Sequence, residues 1–347
     1  MRIRIAILFG GQSTEHEVSR MSATSVIKNI DVERYDILPI GITKEGKWFK
    51  YNGDISNIEN GEWEKDKKLI IADAQKFLFN REVDVVFPVL HGLYGEDGTI
   101  QGLCKLLSLP CVGAGVMSSA ICMDKIYTKY LLENFNIKQA EYVVVKNTQG
   151  VNNVNEIICL AIKEIEKKLK YPVFIKPANS GSSVGISKAH NLEELKQGIK
   201  LALKHDRKVL VERAIDAREI EVAVLGNDLP QAAIPGEIVP IKEFYDYEAK
   251  YQGEGSKLLI PAALIQEKLE EIKELAIKIY SILDCAGMAR VDFLVDKNTE
   301  DIYLNEVNTL PGFTKISMYP KMWNASGKSY KSLIHELIEL AIERNNK

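Results

Sequence analysis

The sequence is poor in the features that mark an unusual environment. Only five of its 347 residues are cysteine, at positions 104, 111, 122, 159 and 285, and no two form a C-x-x-C pair. An odd, scattered set excludes a disulfide framework and fits a reducing compartment, with buried, inert thiols as the simplest reading. No apolar stretch approaches the roughly 20 residues of a membrane span. The opening run "IRIAILFGG" is too short for a signal peptide and reads as a strand. A soluble cytoplasmic protein without a membrane partner is therefore expected. An excess of one charge is also missing: 45 basic residues face 48 acidic ones, a net charge of −3, which gives no reason to expect a nucleic-acid partner. "FGGQSTEHEVS" lacks G-x-G-x-x-G, which weakens a nicotinamide-dehydrogenase reading, and no G-K-[ST] closes a Walker-type loop.

What is present is an ordinary globular balance, 46% hydrophobic and 27% charged. At roughly 150 residues per domain the length suggests two or three domains. Short apolar runs, "RIRIAILFGG", "DILPIGIT" and "VDVVFPVLHG", alternate with helical patterns and suggest a parallel α/β sheet. Periodicity predicts helices over about 17–30, 153–169, 266–283 and 331–344. "YPVFIKPANSGSSVGISKA" reads as strand, polar loop, strand, and "KVLVERAI" and "REIEVAVLG" alternate as strands do. The polar, aromatic-rich "EFYDYEAKYQGEGSK" matches no regular element, and a long irregular segment of this kind is often a functional lid.

Chemistry concentrates in a few places. "ARVDFLV" and "DIYLNEV" are joined by "DKNTE", a natural hairpin turn. Pairing would bring Asp292 near Glu306, and Asn308 points to the same face as Glu306 because side chains alternate. Two carboxylates and an amide oxygen are a hard-oxygen set suited to Mg2+ shared with phosphates; the alternative is a solvated polar sheet face. Lys176 ends a strand before "NSGSSVG", where Gly181 and Gly185 allow backbone N–H groups to approach an anion; the alternative is a plain hairpin loop. Lys125, at a helix start, is a second candidate phosphate cation. Glu212 and Glu219 could accept from adenine or ribose, or be surface charges. Glu15 could meet a substrate ammonium or simply favour the start of a helix. His91, in the glycine-rich "VLHGLYGEDGTIQG", is a candidate ligand or a structural hydrogen-bonding group.

Seven segments in order, "GGQSTEHEVS", "HGLYGEDGTIQG", "MDK", "FIKPANSGSSVG", "EFYDYEAKY", "RVDFLV" and "LNEVNTLPGFT", resemble the D-alanine–D-alanine ligases of the ATP-grasp superfamily, from Ile5 to about Pro320. The resemblance implies an α/β ATP-grasp fold with an N-terminal Rossmann-like domain (1–113), a central domain (114–215) and a C-terminal domain carrying lid and metal site (216–347). It implies ATP and Mg2+ (or Mn2+), D-alanine as substrate, an acyl-phosphate intermediate, a role in peptidoglycan precursor synthesis and a homodimer. It assigns Glu15 to the first substrate's ammonium. Lys125, Lys176, Ser182, Ser183, Glu212, Arg213, Glu219, Lys250, Asn305 and Glu306 fall to ATP, and Asp292, Glu306 and Asn308 to the metal. Arg290 and the Gly312 N–H stabilise the oxyanion, and Ser182 and Tyr251 link Glu15 to the lid. His91, Tyr245, Lys250, Ser317 and Met318 line the substrate subsites.

The chain departs from the family pattern at Lys315, where serine is common, at Met318, where leucine is commoner, and at Arg213, where lysine is frequent. The first two touch the second subsite. An apolar Met318 is expected to favour a methyl-sized side chain over the D-serine hydroxyl. The rivals are a D-serine or D-lactate ligase of the same family and, in another class, a non-catalytic ATP-binding protein on the same fold. Tyr245, Lys250 and Tyr251 argue against D-lactate, and Arg290 with the metal ligands argues against a non-catalytic protein.

Overall fold

The computed structural model describes residues 2–65, 67, 70–147, 154–181, 184–240 and 256–346. The first sheet contains β1 (Ile3–Gly10), β2 (Tyr35–Ile42), β3 (Trp48–Tyr51), β4 (Ile70–Ala72) and β5 (Val85–Pro88), in the order β4-β3-β2-β1-β5. β1 is buried from Ile5 onward and pairs in parallel with β2 and β5, as a continuous apolar run flanked on both faces should. α1 (His16–Asn29), α2 (Ser56–Asn60), α3 (Lys76–Phe79) and α4 (Thr99–Leu106) accompany it. β3 and β4 are antiparallel additions, so the parallel arrangement predicted from sequence is confined to β2, β1 and β5.

After α5 (Val116–Met123) and α6 (Lys125–Glu133), β6 (Tyr142–Lys146), α7 (Val154–Lys168), β7 (Val173–Pro177), β8 (Ser187–Ala189), α8 (Leu192–Ala202) and β9 (Lys208–Arg213) form the second unit. Its sheet, ordered β6-β9-β7-β8, is antiparallel throughout. α7 lays the predicted apolar stripe, Ile157, Ile158 and Ile165, onto it. The third sheet is built from β10 (Ala217–Gly226), β11 (Gln231–Ala232), β12 (Gly236–Pro240), β13 (Ser256–Leu259), β14 (Gly287–Asp296) and β15 (Ile302–Asn308), ordered β13-β12-β10-β14-β15 with β11 beside β10. It too is antiparallel. α9 (Gln266–Ile282) covers one face, and α10 (Met318–Ala325) and α11 (Tyr330–Asn345) the other.

The first and third sheets are not separate cores. Ile5, Phe9 and Phe87 pack in one cluster with Ala223, Leu225, Tyr319, Leu333 and Leu337. Arg344 of α11 ties the joint by donating to the Gly113 carbonyl at 2.6 Å and the Cys111 carbonyl at 3.0 Å. Cys122, Leu132 and Ile137, from α5, α6 and the turn after it, belong to the core of the third sheet. Four cysteines are buried and Cys159 is exposed, and all five are free thiols. Among the described residues no helix is long and apolar enough to cross a membrane.

Candidate active site

The β14–β15 hairpin forms as its sequence requires. Asp292 stands opposite Glu306, and Arg290 opposite Asn308. The Arg290 guanidinium donates twice to Asp292, through Nε and Nη2, each at 2.7 Å, and its Nε lies 3.1 Å from Glu221 Oε2. Asn308 Nδ2 donates to Asp292 at 2.9 Å. Burial disfavours the Arg290 charge, but Asp292 and Glu221 outweigh it and hold the guanidinium well above its ordinary value. Glu221 was not foreseen, yet it lies two residues beyond Glu219 on β10, so strand alternation puts both on one face. The register shifts between Asp292 and Phe293, leaving Asn305 as the extra residue of a bulge. Its amide oxygen accepts from Lys176 Nζ at 3.3 Å.

The lysines arrive from other elements. Asp124 caps α6 by accepting from the N–H groups of Ile126 and Tyr127, and is itself held by Lys208 and Asn179. This fixes Lys125, whose Nζ donates to the Ser180 carbonyl at 2.7 Å and lies 3.8 Å from Glu306 Oε2. Lys176 leaves β7 and meets Glu212 Oε2 at 2.6 Å, while Lys129 meets Oε1 at 2.7 Å. Burial pushes the Glu212 carboxyl up, but the two ammoniums hold it down at about 2. Burial also works against the Lys176 charge, and Glu212, then Glu306 and Glu219, raise it above its ordinary value. Lys129 was missed because a lysine within "IYTKYLL" reads as surface. Its position one helical turn after Lys125 was the available signal. Arg213, expected at ATP, lies 3.4 Å from Glu141 and over the Tyr303 ring.

The third group gathers around Glu15, which immediately precedes α1 and is buried. Its Oε2 is so close to two backbones that a methyl on Gly181 would lie 2.4 Å from it, and one on Gly92 2.7 Å. Loops of the first and second sheets therefore close on one carboxylate. Nearby, burial and then the Glu15 charge push Glu96 up to about 8. His91 was expected to line the substrate subsite. Instead its ring nitrogens are engaged by protein, Nδ1 at 3.0 Å from the Leu310 carbonyl and Nε2 at 2.9 Å from Ser22 Oγ.

Ser317 caps α10 position-wise, with its Oγ 2.9 Å from the Thr314 N–H and 2.8 Å from the methyl position of Gly312. Met318, also expected in a subsite, is instead a core residue, 4% exposed, with its terminal methyl against Gly236. The first residue of a helix that buries this face points its side chain inward, so the methyl-pocket argument built on Met318 has no support. Ser182, Ser183, Tyr245, Lys250 and Tyr251, with the expected lid up to position 255, lie outside the described residues, and the last two residues of that segment, Ser256 and Lys257, open β13 instead of staying irregular. The strands on either side of the lid segment pair with Pro240 opposite Ser256.

The geometry is thus a buried acidic hairpin facing two lysines, with a carboxylate-lined recess beside it. Comparison with known proteins covers nearly the whole chain. The family described as D-ala D-ala ligase N-terminus matches residues 4–114, and that described as D-ala D-ala ligase C-terminus matches 131–339. The chain is 70% identical to the D-alanine--D-alanine ligase of Clostridium novyi (strain NT) over 347 residues, the full length of both. It is 67% identical to that of Clostridium acetobutylicum, again covering 100% of each. Among solved structures, the VanG D-Ala:D-Ser ligase from Enterococcus faecalis is 41% identical with a TM-score of 0.87, over 98% of this chain and 100% of that one. The D-alanine-D-alanine ligase from Coxiella burnetii is 33% identical with a TM-score of 0.83, over 99% and 95%.

Proposed function

Because the chain belongs to the D-alanine–D-alanine ligase family, we propose that it uses ATP to join two D-alanines into D-alanyl-D-alanine for peptidoglycan precursor synthesis. The observation that carries this reading beyond family membership is the convergence of Lys125 on Glu306 at 3.8 Å, from a helix and a hairpin far apart in sequence. A phosphate-binding cation and a metal-type carboxylate side by side are what phosphoryl transfer needs.

In this reading a carboxylate oxygen of the first D-alanine attacks the γ-phosphorus of ATP, giving an acyl phosphate and ADP. The amine of the second then attacks the acyl carbon, and the tetrahedral intermediate expels phosphate. Glu15 accepts from the first ammonium, in a recess too narrow for side chains at positions 92 and 181. Lys125 and Lys176 hold phosphates, while Glu212 and Glu219 face the nucleoside and Asn305 orients Lys176. Arg290, fixed by Asp292 and Glu221, presents a permanent cation to the oxyanion, with the Gly312 N–H beside it. Ser317 receives the second carboxylate. Ser182, Ser183, Tyr245, Lys250 and Tyr251 complete the phosphate loop and lid.

The metal donors fit Mg2+ or Mn2+. Asp292 and Glu306 face each other across one register position, Asn308 adds an amide oxygen, and all three are hard oxygens. Two carboxylates and one amide would leave the other positions of such an ion to substrate phosphates and water. Such an ion would neutralise charge on the transferred phosphoryl group. The three domains at 1–113, 114–215 and 216–347, a cytoplasmic site of action and a homodimer belong to the same reading, and sedimentation of the purified chain tests the last.

A second reading, D-serine as the second substrate, is favoured by the 41% identity to the VanG D-Ala:D-Ser ligase. Coupled ADP release with D-alanine alone, and then with D-alanine plus D-serine or D-lactate, with products weighed by mass spectrometry, separates them. D-Alanyl-D-alanine as the main product is expected. ADP release only when D-serine is added would favour the second reading, and no amino-acid-dependent ADP release would overturn both.

A further inference from the structure

The loop after β5, "HGLYGE", and Ser22 of α1 grip the segment Leu310–Phe313 at its two ends. His91 Nδ1 lies 3.0 Å from the Leu310 carbonyl, and the Leu310 N–H donates to Glu96 Oε1 at 3.3 Å. Both polar groups of one residue are thus held by one loop. Glu96 is itself anchored, its Oε2 accepting the Gly92 N–H at 2.7 Å. At the other end the Phe313 N–H donates to Ser22 Oγ at 3.2 Å, and Ser22 Oγ meets His91 Nε2 at 2.9 Å.

The protons in this circuit are determined. A carbonyl only accepts, so His91 Nδ1 carries the hydrogen. In a neutral ring Nε2 then accepts from the Ser22 hydroxyl, whose lone pair takes the Phe313 N–H. Every group has one role and none is left over. Burial, which lowers the His91 pKa, favours this neutral ring. His91, Ser22, Leu310 and Phe313 are all 5% exposed or less, so water does not compete.

Only Pro311 and Gly312 lie between the two gripped ends. We propose that His91, Glu96 and Ser22 are positioning residues that fix the Gly312 N–H where the oxyanion of acyl transfer develops, without touching substrate. This rests on the ligase reading above. The clamp is built from the loop after β5 and from α1, both of the first sheet's unit, whereas the residue it aims belongs to the loop leaving the third sheet. It therefore makes the joint between those units part of the catalytic geometry.

Two isosteric substitutions at one position test this. In His91→Asn the amide N–H overlays Nδ1 and keeps the Leu310 carbonyl bond. In His91→Gln the amide reaches the Nε2 position and keeps only Ser22. Expected is a kcat for His91→Asn within about threefold of wild type, and a fall of about tenfold or more for His91→Gln, with KM for ATP and D-alanine changed less than about threefold in both. Glu96→Ala should follow His91→Gln, because it leaves the Leu310 and Gly92 N–H groups buried without their acceptor. Equal kcat for His91→Asn and His91→Gln overturns the clamp, as does a loss carried by the KM for D-alanine, which would make His91 a substrate contact. If wild type fails to form D-alanyl-D-alanine, the ligase reading fails instead, whatever the variants do. Should Glu96→Ala not fold, the His91 pair decides alone.

Discussion

Glu212 holds two ammonium groups, Lys129 at 2.7 Å and Lys176 at 2.6 Å, in a site where the carboxylate is 5% exposed. Its carboxyl lies at about 2 against an ordinary 4.5, so it binds fewer protons folded than unfolded between those values. A depressed acid contributes stability that is complete above 4.5 and is lost as pH falls toward 2, at most about 3 kcal/mol for a shift of this size. Lys129→Met should therefore cost up to about 3 kcal/mol at pH 7, because it removes one partner of a buried charge. The gap from wild type should narrow as pH falls from 5 to 3. Urea unfolding across that range checks it, and a pH-independent gap would refute the linkage. At Glu306, Glu306→Gln should leave folding nearly intact and lower turnover by orders of magnitude, since one of two metal carboxylates loses its charge. Near-normal activity at limiting Mg2+ would remove Glu306 from the metal. In the sequence the charged residues themselves were legible, but their partners were not. Glu212 reads as an isolated acid until a helix from another unit brings Lys129 to it, and pairing across such distances leaves no local pattern.

At the scale of elements, the β14–β15 hairpin is where sequence and structure agree most closely. Alternation placed Glu306 and Asn308 on one face, and "DKNTE" set the turn, so Asp292 meets Glu306 and Arg290 meets Asn308. What alternation cannot show is the bulge at Asn305, which lets consecutive residues both serve the site, Asn305 on Lys176 and Glu306 beside Lys125. Deleting Asn305 would let Leu304 and Glu306 follow one another opposite Phe293 and Asp292, which keeps every partner but removes the local bend and twist of the bulge that aims Glu306 toward Lys125. The straightened strand should lower kcat about tenfold or more, whereas Asn305→Ala, which keeps the bulge and loses one hydrogen bond, should raise the KM for ATP only about two- to tenfold. Steady-state ADP release on the two variants separates the bend from the contact, and similar losses in both would mean the side chain, not the bulge, matters. Met318 shows the converse limit. Its place in a motif suggested a subsite, but the helix it begins is amphipathic and turns that face into the core. Met318→Arg is accordingly expected to destabilise the fold rather than to change the second substrate.

For the whole molecule, three loops from two sheets converge on one carboxylate. Glu15 follows the first strand of the first sheet, Gly92 follows its last, and Gly181 follows β7 of the second. Glycine runs were legible as loops, and Glu15 as a charge near a helix start, but no local pattern marks positions 92 and 181 as glycine for the sake of the same side chain. The two positions should respond differently to a methyl group. Gly92 has φ +74°, a conformation that strains any side chain, so Gly92→Ala should lose stability as well as activity. Gly181 has no positive φ, and the atom a methyl would meet, at 2.4 Å, is the far end of the Glu15 side chain. That end can swing aside at little cost to folding, yet it is the group proposed to receive the first substrate's ammonium. Gly181→Ala should therefore shift the melting temperature by no more than about 2 °C. The KM for D-alanine should rise about tenfold or more, with a smaller change in the KM for ATP. Differential scanning calorimetry alongside initial rates tests both halves. A large drop in melting temperature would show that Gly181 supports the fold, and an unchanged KM for D-alanine would show that Glu15 does not hold the substrate where these three loops meet.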